Sequence, residues 1–187
     1  MLIDLTIPVT DFTIQDAHNY ERITAFGHIG THIDVMNQRF PLSYVKRHGI
    51  VFNVRGIYNR DIALQDVDIS FIKPEMFVAF YSGFIEEQPY GSEAYQTLHP
   101  QLAGDLIDEL LKMGISLIGV DFAGVRRGAE HRQKDQLCAD RGVFIVENLC
   151  NLAAVVSGQK VANCTMNTYP VSFIGLSGLP CRVVAEV

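Results

Sequence analysis

Within seven residues, His28-Ile-Gly-Thr-His32-Ile-Asp34, the chain places two imidazoles and a carboxylate. Borderline divalent ions such as zinc take neutral imidazole nitrogen and carboxylate oxygen, and an ion in a reactive centre keeps one position open for water. Gly27 and Gly30 let the backbone turn closely around an ion, and an extended segment after Thr31 would point His32 and Asp34 to one face. Thr31 is placed to orient a ligand by a hydrogen bond from behind. The same residues also read as two polar loop histidines with Asp34 capping the next element. Spacing alone leaves both readings open.

A second carboxylate stands out further along. Glu147 closes the apolar run Val143-Phe-Ile-Val-Glu147-Asn148-Leu149, where burying a charge without a partner is costly. Strand ends in α/β folds are frequent ligand sites, and a metal or a hydrogen-bond network would compensate the charge; an exposed strand end would need neither. The remaining histidines read more plainly. His18 and His48 lie in polar surroundings, His99 precedes Pro100 in a turn, and His131 sits in a charged segment as an exposed helix residue.

The elements that must position these groups follow from the apolar pattern. Met1 to Pro8 reads as an edge strand ended by its proline, and Tyr20 to Phe26 as another. Val51 to Val54 and Met76 to Tyr81 are short apolar runs that read as buried strands. From Gly104 to Met113 the apolar residues recur at helical spacing, with Gly114 as a C-terminal cap. Ser116 to Val120 is a strand, Glu130 to Arg141 a polar helix stopped by Gly142, and Val143 to Val146 a further strand. Two more strands are expected at Val171 to Ile174 and Cys181 to Ala185. The alternation of strand and helix favours crossover connections and some parallel pairing. The expectation is one mixed α/β domain over residues 1–187.

Bulk properties narrow the partners. A net charge of −6 with scattered lysines and arginines argues against nucleic acid. No run approaches the ~18–20 apolar residues that span a bilayer, and no signal segment is evident, so a cytoplasmic location is expected. The four cysteines are far apart and read as small apolar residues.

Several motifs, in order, resemble the cyclase family of metal-dependent hydrolases, which includes bacterial kynurenine formamidase. His28 with Gly30-Thr31-His32-Ile33-Asp34 resembles its H-x-G-T-H-x-D signature, and Asp4-Leu-Thr-Ile-Pro8 its opening strand. Tyr81-Ser-Gly83, then His99-Pro100 and Gly114-Ile-Ser-Leu-Ile-Gly-Val-Asp121, are similar to its central segments. Val146-Glu147-Asn148-Leu149-Cys150-Asn151-Leu152 matches its E-N-L-x-N-L motif, and Pro170 to Val184 its closing strands.

The resemblance implies a swivelling β/β/α domain with a mixed sheet, assembled as a dimer or tetramer. It also implies a divalent metal, zinc first and manganese second, held by His28, His32, Asp34, Glu147 and the position of Asp135. The implied activity is hydrolysis of a small amide or cyclic amide, at C–N bonds other than peptide bonds, as in an arylformamidase. The alternative is a member that binds a small molecule without turning it over. Two departures bear on this choice. The family run D-x-P-x-H is Asp34-Val35-Met36-Asn37-Gln38 here, so Gln38, which cannot carry a proton near neutral pH, occupies the place of the proton-shuttle histidine. Twelve residues before Glu147, where a metal-binding histidine usually lies, stands Asp135, with His131 one helical turn earlier. Asp135 would suit a harder ion; His131 could complete the site instead, or a second ion could be lost. For the substrate pocket, Phe12, Tyr20, Phe26, Phe40 and Tyr44 are the candidates.

Overall fold

The computed structural model describes residues 1–8, 26–57 and 59–187. Its strands are β1 (Leu2–Asp4), β2 (His32–Asp34), β3 (Lys46–Asn53), β4 (Phe77–Tyr81), β5 (Leu117–Val120), β6 (Phe144–Glu147), β7 (Val161–Pro170) and β8 (Gly178–Glu186). The helices are α1 (Phe84–Glu87), α2 (Glu93–Leu98), α3 (Gly104–Lys112), α4 (Ala129–Asp140) and α5 (Leu152–Val156). The sheet runs β1-β8-β2-β6-β5-β4-β3-β7, and β7 pairs again with β8. That last pairing closes seven strands into a barrel and leaves β1 outside it on β8. Strands β3 to β6 are parallel neighbours joined by crossovers, while β2, β7 and β8 pair antiparallel.

Strict alternation divides the core in two. Phe77, Ala79 and Tyr81 of β4 face one apolar cluster inside the barrel, with Leu117, Phe144 and Val146. Val78 and Phe80 face the other, where Ile118, Val120 and Ile145 meet Leu106, Ile107 and Leu110 of α3 and Cys138 of α4. Side chains of a strand alternate between faces, so Ile33 in the inner cluster commits His32 and Asp34 to the helix side. Glu147, two residues after Ile145, lies on that same side. Gly119 is required by packing, since a Cβ there would come within 2.4 Å of the Phe77 ring.

Most sequence expectations agree with these elements. The helix ending at Gly114 is present, with Gly114 at φ 69° and its N–H donated to Leu111 O. Two expectations differ. Val171 to Ile174 is an exposed loop, because β7 ends at Pro170, and its strand content lies upstream in the polar stretch from Val161. Strand β3 begins at Lys46, five residues earlier than its apolar run, because Lys46 to His48 pair with Thr165 to Asn167 of β7. The strand expected at Tyr20 to Phe26 falls almost wholly outside the described residues.

Candidate metal centre

Cross-strand register builds the first part of the site. His32 sits opposite Glu147 and Asp34 opposite Ile145, so a three-residue strand brings both ligand candidates beside the end of β6. His28 returns over them from the preceding turn. Its Nδ1 lies 2.9 Å from Asp34 Oδ1 and 3.2 Å from His32 Nε2, and His32 Nε2 is 3.5 Å from Asp34 Oδ1 and 3.4 Å from Glu147 Oε2. Ligand atoms about 2.0–2.2 Å from one tetrahedral ion stand roughly 3.3 Å from each other. The spacing fits such a shared ion.

Helix α4 supplies the second part. His131 and Asp135, one turn apart, present Nε2 and Oδ2 at 3.1 Å, and His131 Nε2 is 3.6 Å from Glu147 Oε1. Ligand atoms of Asp34, His131 and Asp135 lie within 4.8 Å of one another, as do those of His28, His32 and Asp34, so Asp34 belongs to both groups. The structure thus brings together every residue expected at the site, and it includes both Asp135 and His131. His131 is half-buried at the cluster and not the exposed helix residue that its charged neighbours suggested.

Each imidazole is held from behind, which leaves one nitrogen free to face the cluster. His32 Nδ1 pairs with Gly30 O at 2.9 Å, His131 Nδ1 with Arg126 O at 3.1 Å, and His28 Nε2 with Ser177 Oγ at 2.8 Å. Such partners fix the tautomer and the ring orientation of ligating histidines. The glycines permit the close packing. A Cβ on Gly27 would fall 2.0 Å from Gly178 O, and one on Gly124, at φ 109°, would fall 2.4 Å from His131 Cε1. Gly124, Ser177 and Asn148 carry no ligand signal in the sequence beyond the E-N-L-x-N-L match.

Asn148 explains part of that match. Its amide donates to Gly30 O at 2.8 Å and its Oδ1 accepts from Tyr95 OH at 2.7 Å. Thr31 Oγ1 donates to Asn148 O and accepts from Ile7 N. Thr31 therefore braces the loop and does not touch a ligand, contrary to the sequence expectation. Asn151 reaches across to Asp4 O, and Asp121 takes Ser82 N, Ser82 Oγ and Gly83 N, which joins the Tyr81-Ser-Gly83 and Gly-Val-Asp121 motifs at the strand ends.

The electrostatics of the cluster are out of balance. Among the described residues, Asp34 Oδ2 and Asp135 Oδ1 are buried with no hydrogen-bond partner, while Asp34 Oδ1 and Glu147 Oε1 are buried facing only imidazole nitrogens. Burial, then the Asp34 charge, pushes Asp135 up to about 9, and the same causes with the Asp135 charge raise Glu147 well above the usual carboxylate range. Burial opposes ionisation of Asp34 too, but His28 and His32 outweigh it and hold that carboxyl below its ordinary range. Three carboxylates in one buried cluster need positive charge, and two or three imidazoles with free nitrogens beside them are the donor set of a divalent ion.

Gln38 lies elsewhere. Its amide is exposed and donates to Asn37 Oδ1 and, at 3.4 Å, to Asp140 Oδ1 near the end of α4. Met36 has φ 56°, a value closed to proline, whose ring fixes φ near −65°. The loop after Asp34 therefore takes a course that a proline at this position could not follow. Of the pocket candidates, Phe40 and Tyr44 pack around Phe144 against the inner core, and Phe26 is exposed. Phe12 and Tyr20 lie outside the described residues.

The sequence model of the cyclase family matches residues 3–126. The chain belongs to the cyclase family. That span holds His28, His32 and Asp34, and the fold extends the likeness over the rest of this cyclase-family chain. A potential metal-dependent hydrolase with cyclase activity has a TM-score of 0.72 at 20% identity, over 99% of this chain and 98% of the other. A predicted metal-dependent hydrolase from Bacillus stearothermophilus scores 0.71 at 19% identity, over 99% and 97%. Isatin hydrolase A from Labrenzia aggregata, bound to benzyl benzoate, scores 0.73 at 15% identity, over 99% and 93%. At these identities the likeness is one of fold, a mixed-sheet β/β/α architecture. No curated protein matches the sequence. No helix of the described residues is long and apolar enough to cross a membrane.

Proposed function

We propose that this cyclase-family protein is a metal-dependent hydrolase that opens a small amide or cyclic amide with water, in the manner of an arylformamidase. The observation that carries the reading is the buried set of carboxylate oxygens on Asp34, Asp135 and Glu147 that face either no donor or only imidazole nitrogens, whose rings are held from behind. A divalent ion bound there would polarise a carbonyl oxygen and bring the pKa of a coordinated water toward neutrality. Zinc is the first choice for the nitrogen donors of His28 and His32, and manganese the second.

The chain's own residues do the rest. His28, His32 and Asp34 would hold a divalent ion from the strand side, with Glu147 at the end of β6 and Asp135 and His131 on α4 facing them. Gly30 O, Arg126 O and Ser177 Oγ keep the rings from rotating, so the donors stay arranged before substrate arrives.

One observation favours a second reading, a small-molecule binding protein that keeps the ion without turnover: Gln38 is both non-titratable and turned to the surface. Product formation separates the two. With purified protein, N-formylkynurenine and a panel of cyclic amides are expected to be hydrolysed, with activity lost on chelation and restored by added zinc or manganese. Activity indifferent to chelation would overturn the metal-water mechanism. Saturable binding with no turnover would establish the second reading.

A further inference from the structure

At the ends of the parallel strands opposite the metal cluster, basic side chains gather around a cleft. Glu147 closes the C-terminal end of β6, whereas the cleft opens at the N-terminal ends of β3 and β4. It holds about 540 Å³, and its lining includes Lys46, Arg47 and His48 of β3 with Phe71, Lys73 and Glu75 from the segment leading into β4. That volume is within the range of small-molecule sites. Three permanent cations meet one carboxylate in this lining, in a chain whose net charge is −6.

Arg47 is arranged in advance. Its Nε donates to Ser116 Oγ at 3.0 Å, Ser116 Oγ donates to Glu75 O at 3.0 Å, and the guanidinium lies 4.6 Å from the centre of the Tyr44 ring. Ser116 is buried, so the anchor belongs to the frame of the fold. Among the described residues the two terminal nitrogens of Arg47 make no hydrogen bond, and neither Lys46 nor Lys73 pairs with a carboxylate. A guanidinium held at Nε with its outer edge free is shaped to take two oxygens of a phosphoryl group.

We infer that this cleft binds a nucleoside diphosphate. Its three cations match the roughly three negative charges of a diphosphate ester. Phe71, 49% exposed, offers a ring face on which a base can stack. Glu75 is placed to accept from ribose hydroxyls, the task of an acidic residue in other nucleotide sites. No residue of the metal cluster lines the cleft, so the inference stands apart from the hydrolase reading.

Calorimetric titration of the full chain with ADP tests it, at about 0.15 M salt, where exposed charges are screened beyond about 8 Å. One ADP per chain is expected, with Kd below about 1 mM, and with adenosine and pyrophosphate each about tenfold weaker. Arg47→Lys keeps the charge but loses the fork, and should weaken ADP by about tenfold. Lys73→Ala, at an exposed position, should weaken it by about fivefold. Phe71→Ala should weaken ADP and leave pyrophosphate unchanged, and Asp34→Asn should leave ADP binding as it is. Circular dichroism reports the fold of each variant. No saturable binding of ADP, unchanged affinity in folded Arg47→Lys and Lys73→Ala, or loss of binding in folded Asp34→Asn would overturn the inference.

Discussion

The two halves of the candidate metal centre are built by different means. The strand half comes from one local run in which three residues of β2 and the preceding turn bring His28, His32 and Asp34 together, all packed under other chain segments. The helix half is assembled from distant parts: α4 supplies His131 and Asp135, and the end of β6 supplies Glu147. Its His131 ring stands against the backbone of Gly124. A local motif can be read from spacing, and a long-range one needs the fold. The strand half should therefore tolerate damage to α4, while the helix half should fail first when the packing around His131 changes.

The largest expected effect falls on the residue the halves share. Asp34→Asn removes the shared charge, and hydrolysis should fall by about a thousandfold or more, the scale of losing electrostatic stabilisation in a reactive site. Steady-state kinetics and metal analysis of the same preparation check this together. Full metal content in the folded variant would show that Asp34 does not hold metal.

Next come two variants that address one half each. Ser177→Ala removes the partner of His28 Nε2, and Gly124→Ala puts a methyl group 2.4 Å from the His131 ring at a left-handed φ. Each should weaken metal binding by about 10–100-fold, the usual cost of losing an orienting partner. Calorimetric titration with zinc should show the loss in each variant; unchanged affinity in a folded variant would show that its half takes no part in holding metal.

A comparison comes from a buried imidazole that is not among the candidate ligands. His99 is buried, stacked on Phe122 at 5.7 Å, and burial pulls its pKa down to about 4. The unfolded chain takes that proton near 6.5 and the fold refuses it, so the neutral ring contributes stability that is present above pH 6.5 and lost as pH falls toward 4. The full effect is about 3 kcal/mol at most. Thermal melts of chelated protein should show this acid loss, and His99→Phe should flatten it. The comparison separates acid unfolding from acid release of metal. The smallest effect is expected at Gln38→His. A histidine there would sit on the surface beside Asp140, so kcat should change by less than about threefold. A large gain would show that the loop after Asp34 moves into the site.

The family and the strand half were legible in the sequence, because the signature is contiguous and strand alternation puts His32 and Asp34 on one face. The helix half was legible only as a choice between Asp135 and His131. Both lie on α4 at positions i and i+4, which a polar helix without an apolar stripe does not orient. The structure brings both to the cluster, since Asp135 turns inward with Cys138 and Ala139. Strand β7 was missed from Val161 onward because its partly exposed, polar sequence lacks a buried run and is held by long-range pairing with β3 and β8. The course of the loop at Met36 and Gln38 is a backbone property that a motif comparison does not carry.

The most direct test of the account is the metal content of the full chain after equilibrium dialysis against zinc and manganese, followed by removal of free ion. At least one equivalent of tightly held divalent ion per chain is expected, lost in Asp34→Asn. Less than a tenth of an equivalent from either ion would contradict it.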